Sequence, residues 1–320
     1  MEPIFLSPVF KDYIWGGKKL KEIFKKQTPY EITAESWEIS TNKNGKSNIT
    51  KGKYEGINLG ELYEKEDLRE EIFGSKTIGM NKFPLLVKFI DANSNLSVQV
   101  HPDNKYAYER ENGEDGKTEM WYIMECKPGA QIICGMKKEV RQEDLKDILT
   151  KDNVADYLEF LDVQEGDVIY IPSGTIHAIL GDTVICEVQQ NSDLTYRVYD
   201  WGRMGNDGKP RELHVEKAID VVAVENHPEL KHTSTQEKQE ETIIASEYFK
   251  TNKIKINGTY EDTSNQETFY AINVVKGSGT IEVQGKEHEL NLGDSFIIPA
   301  TLGQYQLKGN LELLKSYIYI

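Results

Sequence analysis

The chain has 320 residues, of which 38% are hydrophobic and 28% charged, proportions of a soluble globular protein with enough length for two domains. Lys and Arg number 38 against 53 Asp and Glu, and the formal net charge of −15 excludes nucleic acid and anionic membrane as expected partners. An anionic small substrate stays open, because a few basic side chains lining one cleft set the potential there whatever the total.

The opening MEPIFLSPVFKDYIW lacks the basic start and continuous apolar core of a signal peptide. No apolar run reaches membrane-spanning length, so a cytoplasmic location is expected. KKLKEIFKK has helical spacing, and NLGELYEKEDLREEIFG reads as one amphipathic helix capped by Asn58 and ended at Gly74. FPLLVKFIDA and LSVQVHP are β-rich, and the charged stretch from Asp103 to Gly116 is either a lid or a solvated loop. TEMWYIME and QIICGM read as strands joined by the turn KPGA, followed by a polar helical insert, VRQEDLKDILTKDNVADYLEF. EGDVIYIPSGTIHAILGDTVICEVQQ is a strand, a tight Pro and Gly turn, and two more strands. RELHVEKAIDVVAV is a helix, ENHPELKHTSTQEKQEE a linker, and short strands then run through KSYIYI. The aromatic residues of WYI and YRVYDW are assigned to the core, and Cys126, Cys134 and Cys186 to buried, reduced thiols.

An internal repeat organises this order. Gly166 to His177, GDVIYIPSGTIH, aligns with Gly293 to Gln304, GDSFIIPATLGQ, keeping Gly-Asp, an apolar strand and Pro at the same spacing. Many short strands with Gly turns, in two copies, predict a mainly β fold of two barrels with a few short helices. The expected division is residues 1–224 and 225–320. The second copy has Thr301 and Gln304 where the first has Gly174 and His177, so no metal is expected there.

The chemistry gathers around the first copy. Gln99 and His101 are two apart on a strand and share a face, Glu119 resumes on the next strand, and His177 closes the Pro-Gly turn. Two imidazoles, a carboxylate and an amide oxygen suit zinc or a similar first-row divalent ion, with room for water or a substrate oxygen.

Gly166, Pro172, Gly174 and His177 resemble the second motif of the cupin superfamily, and Gln99, His101 and Glu119 resemble a variant of its first, with Gln in place of the usual first His. FPLLVKFIDANSNLSVQVHPD, DGKTEMWYI, GDVIYIPSGTIHAI and NSDLTYRVYDWGR, with PIFLSPVFKDYIWGG and ESWEIS, are similar to type I phosphomannose isomerases in their short bacterial form. That resemblance implies two jelly-roll cupin barrels without a large helical insertion domain, and one zinc per chain held by Gln99, His101, Glu119 and His177. It further implies interconversion of mannose 6-phosphate and fructose 6-phosphate through an enediol, with a sugar phosphate as the partner. The family's active-site arginine falls on Arg197, and its pocket lysines on Lys88 and Lys117. Ser97 shares the inward face of Gln99. Either lysine serves as the proton-transfer base or as a phosphate contact, and Arg197 as enediolate stabiliser or substrate anchor. A monomer is expected. The rival readings are a redox metal-cupin enzyme, disfavoured by Gln99, and a sugar-phosphate sensor, disfavoured by Arg197 and the complete ligand set.

Overall fold

The computed structural model describes every residue except 152, 206, 207, 234–237 and 320. Its centre is a seven-stranded antiparallel sheet. The order runs Val9–Lys11, Glu35–Ile39, Leu85–Ala92, Thr183–Gln190, Glu119–Cys126, Asp167–Ile171 and Leu230–His232. LLVKFIDA and TVICEVQQ are buried at every position, the pattern of strands covered on both faces. Alternation then sorts their side chains. Leu85, Val87, Phe89, Val184, Cys186 and Val188 pack into a core shared with Leu62, Phe73, Phe83 and Phe269. Ile90, Ala92, Ile185, Trp121 and Ile123 pack the other way, against Ile132, Cys134 and Ile179.

Those last three belong to a five-stranded sheet ordered Leu158–Asp162, Gln131–Met136, His177–Ile179, Val98–Val100 and Tyr196–Tyr199. Its outer face is covered by the helices Leu145–Leu149 and Val215–Val221, through Leu145, Ile148, Leu149 and Ala218. An eight-stranded sheet contains Lys250–Thr263, Tyr270–Val283, Ser295–Ile298 and Gln304–Tyr317, and takes in the N-terminal strand Ile4–Ser7 at Ser295–Ile298.

The two closed jelly-roll barrels expected from the sequence are not formed. Among the described residues the strands lie in four antiparallel sheets, none closed on itself, and with the helices they make a mixed α and β fold. Short strands and Gly turns specify local antiparallel pairing. Closure needs the first and last strands to meet with matched tilt and stagger, which local spacing does not encode. Here the edges of the central sheet are Val9–Lys11 and Leu230–His232, segments from far apart in the chain that do not pair.

Several local expectations are also refined. NLGELYEKEDLREEIFG makes two helices, Leu59–Tyr63 and Glu66–Phe73, separated by the extended Lys65. Asn58 caps the first by accepting from Glu61 N at 2.9 Å, and Gly74, at φ +91°, ends the second. KKLKEIFKK is helical only over Lys19–Glu22. The stretch from Asp103 to Gly116 is no open loop, because Asp103 accepts from Tyr106 N at 2.7 Å and starts the helix Asn104–Arg110. Within the expected linker, Leu230–His232 is an edge strand, and residues 234–237 lie outside the described residues. Cys134 and Cys186 are buried, Cys126 is half-buried, and all three are free thiols. Among the described residues no helix is long and apolar enough to cross a membrane.

The repeat is structural. Gln164 N donates to Asp167 Oδ2 at 2.9 Å, and Asn291 N to Asp294 Oδ2 at 2.8 Å. Ile171 stands opposite Glu119 as Ile298 stands opposite Tyr270, and Glu187 opposite Lys88 as Lys315 stands opposite Asn252. The frame is kept and its chemistry exchanged.

The two copies are tied through Glu38, whose buried carboxylate meets Lys26 Nζ at 2.6 Å, Ser36 Oγ at 2.5 Å and Ser295 Oγ at 2.8 Å. Lys26 also donates to Gly293 O at 2.6 Å. Removing one partner of a buried pair strands the other charge. Lys26→Met is therefore expected to lower the unfolding free energy by about 3 kcal/mol in urea titration. A loss below about 1 kcal/mol would show the pair to be no better than a surface one.

Candidate metal centre

Two rows of side chains meet between the central and five-stranded sheets. In the five-stranded sheet Cys134, His177, Gln99 and Arg197 stand opposite one another on successive strands. In the central sheet the same holds for Trp121, Glu187, Lys88 and Trp37. Directly opposed residues share a face of the sheet. The rows touch where the Trp121 and His177 rings meet edge to face at 5.4 Å. His101 follows the strand Val98–Val100 and is held by Gly174 N, which donates to its carbonyl at 2.8 Å. Gly174 has φ +83°, and a Cβ there would lie 2.9 Å from Val221 O, so the turn that presents His177 requires glycine.

His101, Glu119 and His177 are all buried, with donor atoms within 4.8 Å of one another. His177 Nε2 is 3.4 Å from Glu119 Oε1, and His101 Nε2 is 3.6 Å from Glu119 Oε2. His101 Nδ1 donates to Leu194 O at 2.6 Å and His177 Nδ1 to Thr175 O at 2.9 Å, which leaves both Nε2 lone pairs facing the carboxylate. Burial, and then the Lys117 charge, depress both imidazoles, His177 to about 4 and His101 well below its ordinary value. They are neutral at pH 7, the form a metal takes.

Glu119 shows the fit most directly. Its Oε1 accepts no hydrogen bond although the side chain is wholly buried, an arrangement that costs free energy unless a cation completes it. Desolvation and the Glu187 charge push its pKa up to about 7 in the absence of such a cation. The Gln99 amide lies 3.4 Å from His177 Nε2, and half a turn of that amide presents an oxygen in place of its nitrogen. The predicted ligand residues are thus brought together.

Lys117 and Lys88 are buried beside them. Lys117 Nζ lies 2.5 Å from Glu119 Oε2, 3.0 Å from His101 Nε2 and 3.8 Å from Glu187 Oε1. Lys88 Nζ donates to Glu187 Oε1 at 3.1 Å. Burial opposes the Lys88 charge, but Glu187 and Glu35 outweigh it and raise the pKa above the ordinary lysine value. Burial likewise opposes the Glu187 charge, and Lys117 and Lys88 outweigh it, bringing that carboxyl to about 2. Glu187 also accepts from Trp121 Nε1 at 3.0 Å. Sequence reasoning missed Glu187, whose signal was a lone acid inside the apolar strand TVICEVQQ.

A cleft of about 600 Å³ opens onto this centre. Ser97, Gln99, Lys88, Lys117 and Arg197 line it as anticipated, and Lys11, Trp15, Glu35, Trp37 and Arg211 line it unanticipated. Arg197 Nε donates to Ser97 Oγ at 3.1 Å, so Ser97 holds the guanidinium. Trp37 Nε1 donates to Glu35 Oε2 at 2.6 Å, the alternation of ESWEIS placing both on one face. Trp121 and Tyr196 are buried, as expected of core aromatics. Glu119→Gln is expected to lower bound metal at least about tenfold at fixed metal activity. Ion counting on dialysed protein reads this, with circular dichroism as the control for folding; unchanged metal content would remove Glu119 from the ligand set.

Comparison with known proteins agrees with this geometry. Residues 4–120 match the family model for the phosphomannose isomerase type I catalytic domain, and residues 239–318 that for the mannose-6-phosphate isomerase cupin domain. The mannose-6-phosphate isomerase ManA of Bacillus subtilis is 39% identical over 321 residues, covering 99% of each chain. The mannose-6-phosphate isomerase of Streptococcus mutans is 38% identical over 318 residues, covering 99% of this chain and 98% of its own. The crystal structure of the mannose 6-phosphate isomerase from Bacillus subtilis superposes with a TM-score of 0.92 at 38% identity, covering 100% of both chains. With a buried His, Glu and His triad in a cleft of this shape, the chain belongs to the type I mannose-6-phosphate isomerase family of the cupin superfamily.

Proposed function

We propose that the chain interconverts mannose 6-phosphate and fructose 6-phosphate by moving a proton between C1 and C2 through an enediol. The observation that carries the reading is the buried triad His101, Glu119 and His177, next to a cleft lined by Gln99, Lys88 and Lys117. The ion assigned is zinc, one per chain, held by the triad with Gln99. Zinc accepts two imidazoles and a carboxylate, and when bound it polarises a substrate oxygen as a Lewis acid.

The chain's own residues divide the remaining work. Lys117, placed between His101, Glu119 and Glu187, carries the proton between the two carbons. Lys88 stays charged against Glu187 and supplies positive potential to the oxygen where enediolate charge develops. Arg197, held by Ser97 and opposite Gln99, fixes the sugar beside the ligand set. Residues 1–224 are assigned as the catalytic unit and residues 225–320 as the unit that supports it. A cytoplasmic monomer, with its three thiols reduced, completes the assignment.

The test is a coupled assay of mannose 6-phosphate conversion before and after chelation, with zinc restored. Activity that is lost and then recovered supports the reading, and zinc-loaded protein without turnover refutes it. Lys117→Gln should reduce kcat at least about a hundredfold. If Lys88→Gln loses more kcat than Lys117→Gln, the proton carrier has been misassigned.

A further inference from the structure

Two residues of the centre flank strands without belonging to them. His101 follows the end of Val98–Val100, and Lys117 precedes the start of Glu119–Cys126. Between them the chain leaves the sheets through the helix Asn104–Arg110 and returns at Gly116. Strand register alone therefore does not set the 3.0 Å between Lys117 Nζ and His101 Nε2. The base of the excursion completes the placement. Lys117 N donates to Pro102 O at 3.0 Å, and the side chain of Asn104 spans the opening.

Asn104 Oδ1 accepts twice, from Gly116 N at 2.9 Å and from Gln190 Nε2 at 3.0 Å. The oxygen of the same Gln190 amide accepts from Thr118 N at 2.9 Å, and Gln190 N donates to Thr118 O at 3.1 Å. Thr118 lies between Lys117 and Glu119, and Gln190 ends the strand that carries Glu187. One oxygen thus joins the segment after His101, the segment before Lys117 and the strand of Glu187. A Cβ on Gly116 would lie 2.5 Å from Asn104 N and from Asp103 C, so the close approach requires glycine. Gln190 and Thr118 are buried, where a donor stripped of its acceptor is costly and the chain shifts to find it another. The outer part of the excursion is tied separately, Glu114 meeting Lys43 at 2.8 Å and Lys82 at 3.0 Å.

We propose that Asn104 is a positioning residue of this centre, its carboxamide oxygen setting Lys117 and Glu119 against His101 through Gln190 and the Gly116 and Thr118 peptides. Without that oxygen the segment from Gly116 to Glu119 drifts relative to His101. The drift loosens the ligand set and moves the proton carrier out of line. Arg197 and Lys88 stand on other strands, so the hold on the sugar is left in place. The consequence for turnover rests on the isomerase reading, and the consequence for metal binding does not.

The experiment compares the unaltered full chain with Asn104→Ala, Asn104→Asp and Glu114→Gln. Zinc affinity is read by competition with a chromophoric chelator, and kcat and KM for mannose 6-phosphate are then measured on the zinc-loaded proteins. N104A should weaken zinc at least about tenfold and lower kcat by a similar factor, with KM little changed. N104D keeps an acceptor oxygen in the same place and should restore both. E114Q cuts the ties to Lys43 and Lys82 but spares the bonds of Asn104, and should leave both readings as they are. If N104A does not fold, Asn104→Ser, whose hydroxyl is too short to reach both donors, should show the same losses. Unchanged zinc affinity in N104A or N104S, N104D as weak as N104A, or E114Q as damaging as N104A would each overturn the inference. Zinc affinity that depends on Asn104 in a chain that does not isomerise would refute the isomerase reading alone. Isomerisation with zinc affinity indifferent to Asn104 would refute this inference alone.

Discussion

Charge placed between two packed sheets has to be matched where it stands. Glu119, Glu187, Lys88 and Lys117 are all buried, and an unmatched buried ion costs several kcal/mol. The rows His177–Gln99–Arg197 and Trp121–Glu187–Lys88 answer this constraint by facing one another across the gap between the sheets. Lys88 pairs with Glu187, and Lys117 with one oxygen of Glu119. The oxygen left over is Glu119 Oε1, which faces His177 Nε2 at 3.4 Å, and that deficit is the metal centre. The rest of the structure serves to keep both sheets and their register fixed around it.

The second copy shows the same constraint met without a ligand set. Lys315, at the position equivalent to Glu187, is buried between Glu240 at 2.6 Å and Asp262 at 2.9 Å. Tyr260 and Tyr305 donate to those carboxylates, each at 2.6 Å. Tyr270 takes the place of Glu119, and Gln304, exposed, that of His177. Glu240 Oε1 also accepts from Asn252 Nδ2 at 2.7 Å and Asp262 Oδ1 from Thr263 N at 2.8 Å, so the carboxylate oxygens of the network are satisfied within the chain. Duplication of the frame therefore carried no obligation to duplicate the chemistry.

What was legible in the sequence follows from the range of the interactions. Gln99, His101 and Glu119 were readable because period two puts strand neighbours on one face, and His177 because its turn needs glycine at Gly174. Lys88, Lys117 and Arg197 came from resemblance, and their partners did not. Glu187 meets Lys88 across paired strands, a contact that only register creates, and Arg211 meets Asp200 across a loop. The same limit explains the barrels, since strands and Gly turns are local properties while closure is a long-range one. The charged stretch after His101 has the polar composition of a loop, yet the Asp103 cap starts a helix within it.

The central claim is that residues from both sheets bind one metal ion together. X-ray absorption at the metal edge of the zinc-loaded protein measures it without relying on turnover. The account predicts a first shell of two imidazole nitrogens with oxygen neighbours and no sulfur, losing an oxygen neighbour in Glu119→Gln. Cys134 stands opposite His177 in the same row. A zinc–sulfur distance in that spectrum, or a shell without imidazole, would contradict the account.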